Sequence, residues 1–497
     1  MQQRGLHLLA FDLGAESGRA ILGRFDGEQL GLDIIRRFPN RPVTVGGTTY
    51  WNVLGLFQEM KEGLAQAVHH TGSGLESMAV DTWGVDFGLL DINGLLLSNP
   101  VHYRDPHTEG IMEEAFKILP KEQLFARTGN QFMRFNTLFQ LLALTKGNSS
   151  SLAVAKTLLL MPNLFDFFFT GRRVTEATIA STTQMLDPHT GNWDDDLLKL
   201  FEIETGLLTE IVAPGTIIGP VSELVTRELG IGSKNMPVIA PASHDTGSAI
   251  AAVPASGENH IYISSGTWSL MGMEVQEPII TKKSLTYNFT NEGGVGGRYR
   301  FLKNIMGLWL IQQCKRSFER EGRTYTYDDL TAMAQDAQPF GMFVDPDADD
   351  FLNPLDMPTA IREFCRRTQQ PIPKDAGTLI RCCLESLALK YRWTAERLEE
   401  ITDRRVEVIH IVGGGIQNEL LCQFTADAVG LPVLTGPREA TAIGNILMQL
   451  MALNKIDSIQ EGRQIVRNSF PVKVYEPKHK GAWDDAYGGF CQLLVEG

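Results

Sequence analysis

A strand that runs into a turn of small residues and leaves it as a second strand occurs twice in this chain. That echo constrains the fold more than any other feature. In the first instance the apolar run at 7–11 ends at Asp12, a glycine-bounded turn follows at 14–18, and residues 20–25 form the return strand. In the second, residues 261–263 lead into Ser264, Ser265, Gly266 and Thr267, and 268–275 return. A strand, a tight turn and a strand read as a hairpin. Two such hairpins, each near the start of one half, predict two lobes of related design. The small-residue stretch 254–257 suits a boundary between them. The expected domains are therefore 1–256 and 257–497.

Within the first lobe a third strand is expected at 29–38. A helix follows, with Val53, Phe57, Met60, Leu64 and Val68 at three- and four-residue spacing, and then a strand from Met78 into Asp81. Strands alternating with helices indicate an α/β fold. The last third is more helical, with a stripe at Ile380, Leu384, Leu387, Tyr391 and Leu398. A buried-type strand at 408–412 then ends in Gly413, Gly414 and Gly415, with helices expected at 418–429 and 439–453.

Composition excludes several classes. The net charge of −14 repels nucleic acid and anionic membranes, so neither is an expected partner. The most apolar region, 158–169, is interrupted by Pro162, Asn163 and Asp166 and is too short to span a bilayer. The first apolar stretch runs straight into Asp12, which is not a secretory leader pattern. None of the six cysteines stands in a CxxC pair, and reduced thiols are expected, with contact between Cys365 and Cys382 left open. A cytoplasmic location follows as an expectation.

Phosphate is held by converging backbone N–H groups, and small residues let the backbone come close enough. The turns at 14–18 and 264–267 offer that geometry, although either alone could be only a hairpin. Asp12 could hold Mg²⁺ through water or simply cap its turn. The triple glycine at 413–415 suits a nucleotide loop, but neither a dinucleotide fingerprint nor a P-loop is present. Asp245, beside His244 and Thr246, is either a base for a hydroxyl proton or a helix N-cap. The run 81–87, DTWGVDF, places Trp83 and polar groups at a strand end, as a sugar-binding wall or as core. Asp345, Asp347 and Asp349 mimic part of a calcium loop but lack its Gly and Glu, and they read as a solvated loop. Asp194, Asp195 and Asp196 read as solvated surface.

At these positions the chain resembles the FGGY family of carbohydrate kinases, which have the actin-like ATPase fold. The matching segments include AFDLGAESGR at 10–19, DTWGVDF at 81–87, YRD at 103–105 and LLMPNLFDFFFTG at 159–171. They continue with ASHDTGSA at 242–249, SSGTWSLMG at 264–272, NEGGVGGRYRFLKNIMGLW at 291–309, QPIP at 370–373 and HIVGGGIQN at 410–418. The resemblance implies two actin-like (ribonuclease H-like) lobes with a nucleotide and sugar cleft between them. It implies transfer of phosphate from ATP to O1 of a ketose, L-rhamnulose, with L-fuculose as the alternative acceptor and a conformational actin-like ATPase as a more distant one. Asp245 is then the expected proton acceptor, and Trp83, Gly84, His244, Asp245 and Thr246 the sugar-binding residues. Ala15, Glu16, Ser17, Gly18, Arg19, Thr267, Asn304, Gln312 and Gly414 are the expected ATP-binding residues, with Asp12 beside Mg²⁺. Gln417 and Asn418 after the glycines depart from the small residue or Ser found in many members of the family.

Overall fold

The central strand of the first sheet, β1 (Leu6–Leu13), is buried from Leu8 onward, as a strand covered on both faces requires. It pairs antiparallel with β2 (Ser17–Phe25), which pairs antiparallel with β3 (Leu30–Pro39). On its other side lies β4 (Leu75–Thr82), parallel to β1, followed by β6 (Pro237–Ile239), parallel to β4, and β5 (Ile217–Pro220), antiparallel to β6. The sheet order is β5-β6-β4-β1-β2-β3. Helix α1 (Val53–His70) is capped by the Asn52 side chain, which accepts from Gly55 N.

The computed structural model describes residues 5–72, 74–232 and 235–496, and the chain divides into two units. Unit 1 extends to Pro254 and takes in Glu274–Phe301 and Glu439–Phe470. Unit 2 holds Ala255–Met273, Leu302–Arg438 and the chain from Pro471 onward. Its strands are β7 (His260–Ser265), β8 (Trp268–Val275), β10 (Tyr299–Met306), β11 (Val408–Val412), β12 (Val433–Thr435) and β13 (Lys473–Tyr475); β9 (Thr290–Gly293), the end of β8 and the start of β10 belong to unit 1. The second sheet contains the run β10-β8-β7-β11-β12-β13. Here too a hairpin is antiparallel (β7 with β8), the next two pairings are parallel (β7 with β11, β11 with β12) and the edge strand β13 is antiparallel. The internal echo in the sequence is thus a repeated pattern of strand pairing around each hairpin, although the edge strand precedes its neighbour in the first sheet and follows it in the second.

Four helices matter for the site: α2 (Asp245–Ala251), α3 (Trp309–Arg320), α4 (Ala376–Thr402) and α5 (Ala440–Ala452). The long α4 starts with a capping box in which Asp375 accepts from Thr378 N at 2.8 Å. Helix α5 comes late in the sequence yet folds into unit 1 against α2. The crossing is close because residue 444 is Gly: a Cβ there would overlap the Ser248 carbonyl.

Two expectations about acidic clusters need correction. Asp345 and Asp347 do not form a solvated loop: their carboxylates lie 2.7 and 3.1 Å from Lys390 Nζ on α4, and Asp347 also accepts from Met306 N at 2.9 Å. A buried ammonium must be paired, and these two carboxylates do it. Asp194 is likewise structural, capping the helix that follows and pairing with Arg127, while Asp195 and Asp196 are exposed. The six cysteines are free thiols. Cys365 and Cys382 lie near each other in unit 2, where the Cys382 thiol lowers Cys365 and Cys382 itself is pushed up. Among the described residues no helix is long and apolar enough to cross a membrane.

Candidate functional site

In unit 1 the sheet register brings two aspartates side by side: Asp12 on β1 is opposite Asp81 on the parallel strand β4, and opposite Arg19 on β2. Arg19 Nη2 lies 3.1 Å from Asp12 Oδ2, and Nη1 pairs with Glu439 at the entry to α5. Helix α5 reaches back to the same strands. Asn445 donates to Asp81 Oδ2 at 2.7 Å, and Gln449 donates to the Leu9 carbonyl at 3.1 Å while accepting from the Ser77 hydroxyl at 2.6 Å. Asp81 Oδ1 is buried with no hydrogen-bond partner. Burial pushes both carboxyls above the usual carboxylate range. The charge of Asp245 pushes them the same way, and Arg19 opposes the rise.

Asp245 is placed differently. It is the first residue of α2, so the N-cap reading fails: the cap position is His244, whose side chain makes no capping bond. The Asp245 carboxylate instead accepts from Thr246 N at 2.5 Å and from the Thr246 hydroxyl at 3.1 Å. Its side chain is 29% exposed, against 5% for Asp12, so it is the more open of the two acids. The strand-to-helix segment before it is anchored by backbone bonds. Thr82 N donates to the Ser243 carbonyl at 3.0 Å, Ser243 N to Glu176 Oε2 at 3.0 Å, and His244 N to Thr178 Oγ1 at 3.1 Å.

The run 81–87 forms a turn after β4 whose strain is visible at Val85, a β-branched residue with φ 69°. Thr182 and Thr137 hold it: the Thr182 hydroxyl accepts from Val85 N at 3.2 Å, and the Thr137 hydroxyl donates to Val85 O at 2.6 Å. This turn buries Asp86, whose carboxylate accepts from Trp51 Nε1 at 2.5 Å, Trp83 Nε1 at 3.0 Å and Gln140 Nε2 at 3.0 Å. Burial pushes Asp86 up to about 7 despite those donors. The Trp51 and Trp83 rings lie with centroids 4.1 Å apart. Trp83 is buried, and Gly84 leaves room for the Thr182 side chain, which a Cβ would approach to 3.1 Å.

Of the first turn, Gly14 N donates to Ser17 O at 3.0 Å, and Glu16 O accepts from Asn40 N at 3.0 Å. Ala15, Glu16 and Ser17 are half-buried. Gly18 has no alternative, since a Cβ would strike the Phe38 ring.

The second turn lies in unit 2. Gly266 N donates to Trp268 O at 2.8 Å, and Thr267 O accepts from Gly307 N at 3.1 Å and from Trp309 N at 3.2 Å. The glycine loop after β11 packs directly on it: a Cβ at Gly415 would overlap the Ser265 hydroxyl, and Gly413 has φ 87°. Asn304 is half-buried on β10 and Gly414 is exposed. Gln312, on α3, buries an amide oxygen that has no hydrogen-bond partner. Beside Asn304, burial pushes Lys303 down to about 8.

Sequence reasoning missed the roles of Glu439, Asn445 and Gln449, because an apolar helix late in the chain gives no sign that it packs beside β1. It also missed Glu292 and Arg300, which hold the His244 side chain. Their position in the quoted stretch 291–309 was the available signal.

The fold is one seen in solved sugar kinases. Xylulose kinase from Lactobacillus acidophilus superposes with a TM-score of 0.82 over 99% of this chain and 98% of its own, at 17% identity. Plasmodium falciparum glycerol kinase with ADP gives 0.76 over 99% and 98%, at 15% identity. Family models for the N-terminal and C-terminal domains of the FGGY family of carbohydrate kinases match residues 7–252 and 261–453. Curated relatives named rhamnulokinase include those of Bacteroides thetaiotaomicron, 46% identical over 97% of this chain and 98% of theirs, and Oceanobacillus iheyensis, 43% identical over 94% and 97%. The chain belongs to the FGGY family of carbohydrate kinases. It is an enzyme that phosphorylates a sugar with ATP as co-substrate.

Proposed function

We propose that the enzyme phosphorylates L-rhamnulose at O1, giving L-rhamnulose 1-phosphate and ADP, as a cytoplasmic step of L-rhamnose degradation. The observation that carries this reading is full-length similarity, at 40–46% identity, to several proteins named rhamnulokinase. Residues 1–256 would supply the sugar site, the first phosphate turn and the base. Residues 257–497 would supply the second turn and the remaining nucleotide contacts.

In this reading Asp245 takes the proton from the sugar hydroxyl as the phosphoryl group arrives. It suits the task because it is partly exposed and already oriented by Thr246. The sugar would bind against Trp83, Gly84, His244, Asp245 and Thr246. The first turn, Ala15 to Arg19, would offer backbone N–H groups to phosphate, and Arg19 its guanidinium. From unit 2, Thr267, Asn304, Gln312 and Gly414 would contact the nucleotide.

Mg²⁺ fits the acidic residues of unit 1. Asp12 is a hard oxygen donor in a buried acidic neighbourhood, and Asp81 has an unpartnered buried oxygen. Among the described residues no group of three His, Cys, Asp or Glu could hold a metal, which suits an ion arriving on the phosphates of ATP. When bound, Mg²⁺ neutralises charge on the transferring phosphoryl group. Asp12 would be the carboxylate beside it, with Arg19 and Glu439 fixing its orientation.

The test is ADP release over a panel of L-rhamnulose, L-fuculose, L-ribulose, D-xylulose and glycerol. L-rhamnulose should give the highest kcat/KM. A clear preference for another acceptor would reject the substrate while leaving the family intact.

A further inference from the structure

His244 belongs to a buried triangle. Arg300 Nη2 lies 3.2 Å from His244 Nδ1, and Glu292 Oε2 lies 3.1 Å from each of them. Arg300 Nε also donates to the Gly293 carbonyl at 2.8 Å, which fixes the plane of the guanidinium. The side chains are 1, 5 and 8% exposed for Arg300, Glu292 and His244. All three belong to unit 1, with Glu292 on β9 and Arg300 at the start of β10. At the other end of the imidazole, Nε2 lies 3.5 Å from Asp245 Oδ1.

The chemistry of these groups favours one position for the imidazole proton. A guanidinium has donors and no acceptor, and it stays charged. Its contact with Nδ1 therefore requires a bare nitrogen there. A proton on Nδ1 would set an N–H against a guanidinium N–H. Glu292 Oε2 is equally close to Nδ1, at 3.1 Å, and would accept a proton from it, but its charge is already matched by Arg300, also 3.1 Å away. A neutral imidazole carries one proton, and with Nδ1 bare it must be on Nε2.

We propose that Arg300 and Glu292 are positioning residues that hold His244 as its Nε2–H tautomer, so that the sugar site presents a fixed donor beside the acceptor Asp245. A donor and an acceptor on neighbouring residues suit two oxygens on adjacent carbons, one accepting and one giving up its proton. In a ketose these are O2 and the O1 hydroxyl. The inference thus rests on the proposed ketose reading and adds a recognition rule: His244 Nε2–H binds O2 while Asp245 takes the proton of O1. An acceptor lacking an oxygen at C2 would lose the first contact.

The proposal is tested first without substrate. Neutron diffraction from the full-length deuterated enzyme at neutral pH should show deuterium on His244 Nε2 and none on Nδ1. Deuterium on Nδ1, alone or with Nε2, would overturn the proposal. That readout does not depend on which sugar is turned over, so it separates this idea from the substrate assignment. The second arm uses Arg300→Gln and Glu292→Gln, with melting temperature checked first. With the best ketose of the panel, the KM for sugar should rise about 10-fold, the scale of one lost hydrogen bond, while the KM for ATP stays unchanged. A folded Arg300→Gln enzyme with wild-type sugar KM would overturn the positioning role. If neither variant folds, the tautomer seen in the unaltered enzyme decides.

Discussion

The turn between β1 and β2 and the turn between β7 and β8 occupy equivalent places, each joining a central strand to its antiparallel partner, yet their chemistry differs. The first is flanked by Asp12 and Arg19, which face each other across the strands, and Arg19 also pairs with Glu439. The second, Ser265, Gly266 and Thr267, has no charge of its own, and Ser265 is packed against Gly413 and Gly415. A duplicated backbone device can thus be charged in one copy, where charge on a transferring group must be balanced, and neutral in the other, where a nucleotide needs only close backbone approach. The same contrast runs deeper into each unit. Unit 1 buries carboxyls that are pushed up, at Asp12, Asp81 and Asp86. Unit 2 also buries one raised carboxyl, Glu385, but adds two buried lysines, of which Lys303 is pushed down to about 8 while Asp345 and Asp347 hold Lys390 above the usual lysine value.

The contrast can be broken most sharply at the charged turn. Asp12→Asn should lower kcat by on the order of 10²-fold and raise the magnesium needed for half-maximal rate, with sugar affinity little changed. Normal turnover at limiting magnesium would reduce Asp12 to a structural partner of Arg19. At the neutral turn the expected change is smaller and of another kind. Thr267→Val should raise the KM for ATP by about 3- to 10-fold, one hydroxyl contact, and leave kcat nearly intact. If Thr267→Val depressed kcat as deeply as Asp12→Asn, the division of labour between the turns would be wrong.

The smallest effects should be on stability, and they should run in opposite directions in the two units. The folded value of Asp86, about 7, lies above the ordinary carboxylate value of 3.8. Its contribution is therefore complete at pH below 3.8 and is lost as pH rises toward 7. The folded value of Lys303, about 8, lies below 10.5, so its contribution is complete above pH 10.5 and is lost as pH falls toward 8. Each is worth roughly 1–4 kcal/mol. Denaturant titrations across pH 4–10 should show Asp86→Asn flattening the acid-side slope and Lys303→Met flattening the alkaline one. Parallel changes in both variants would refute the contrast.

Much of this was legible in the sequence because it was local. The hairpin turns, the strand ending in Asp12 and the glycine loop each carry their signal within about ten residues, and period-2 and small-residue patterns report them directly. What could not be read depends on pairing across long stretches of chain. Nothing near Asp345 or Asp347 says that Lys390 comes to rest between them, so the acidic run looked solvated. The charges of Arg19 and Glu439 are 420 residues apart. At Asp245 the local pattern was ambiguous for a physical reason: Asp followed by Thr before an apolar helix suits both a cap and a base. Only the backbone showed that the helix starts one residue earlier than a cap at Asp245 would require.

The central claim is that Asp245 acts as the base and not as a helix-stabilising group, and Asp245→Asn tests it most directly. Asn is nearly the same shape and its amide oxygen can still accept from Thr246 N, so the helix start should be kept. In the folded variant, at saturating sugar and ATP, kcat should fall by about 10²- to 10⁴-fold while the melting temperature barely moves. Near-normal kcat with an unchanged melting temperature would contradict the account, because the site would then transfer phosphate without the carboxylate at this position.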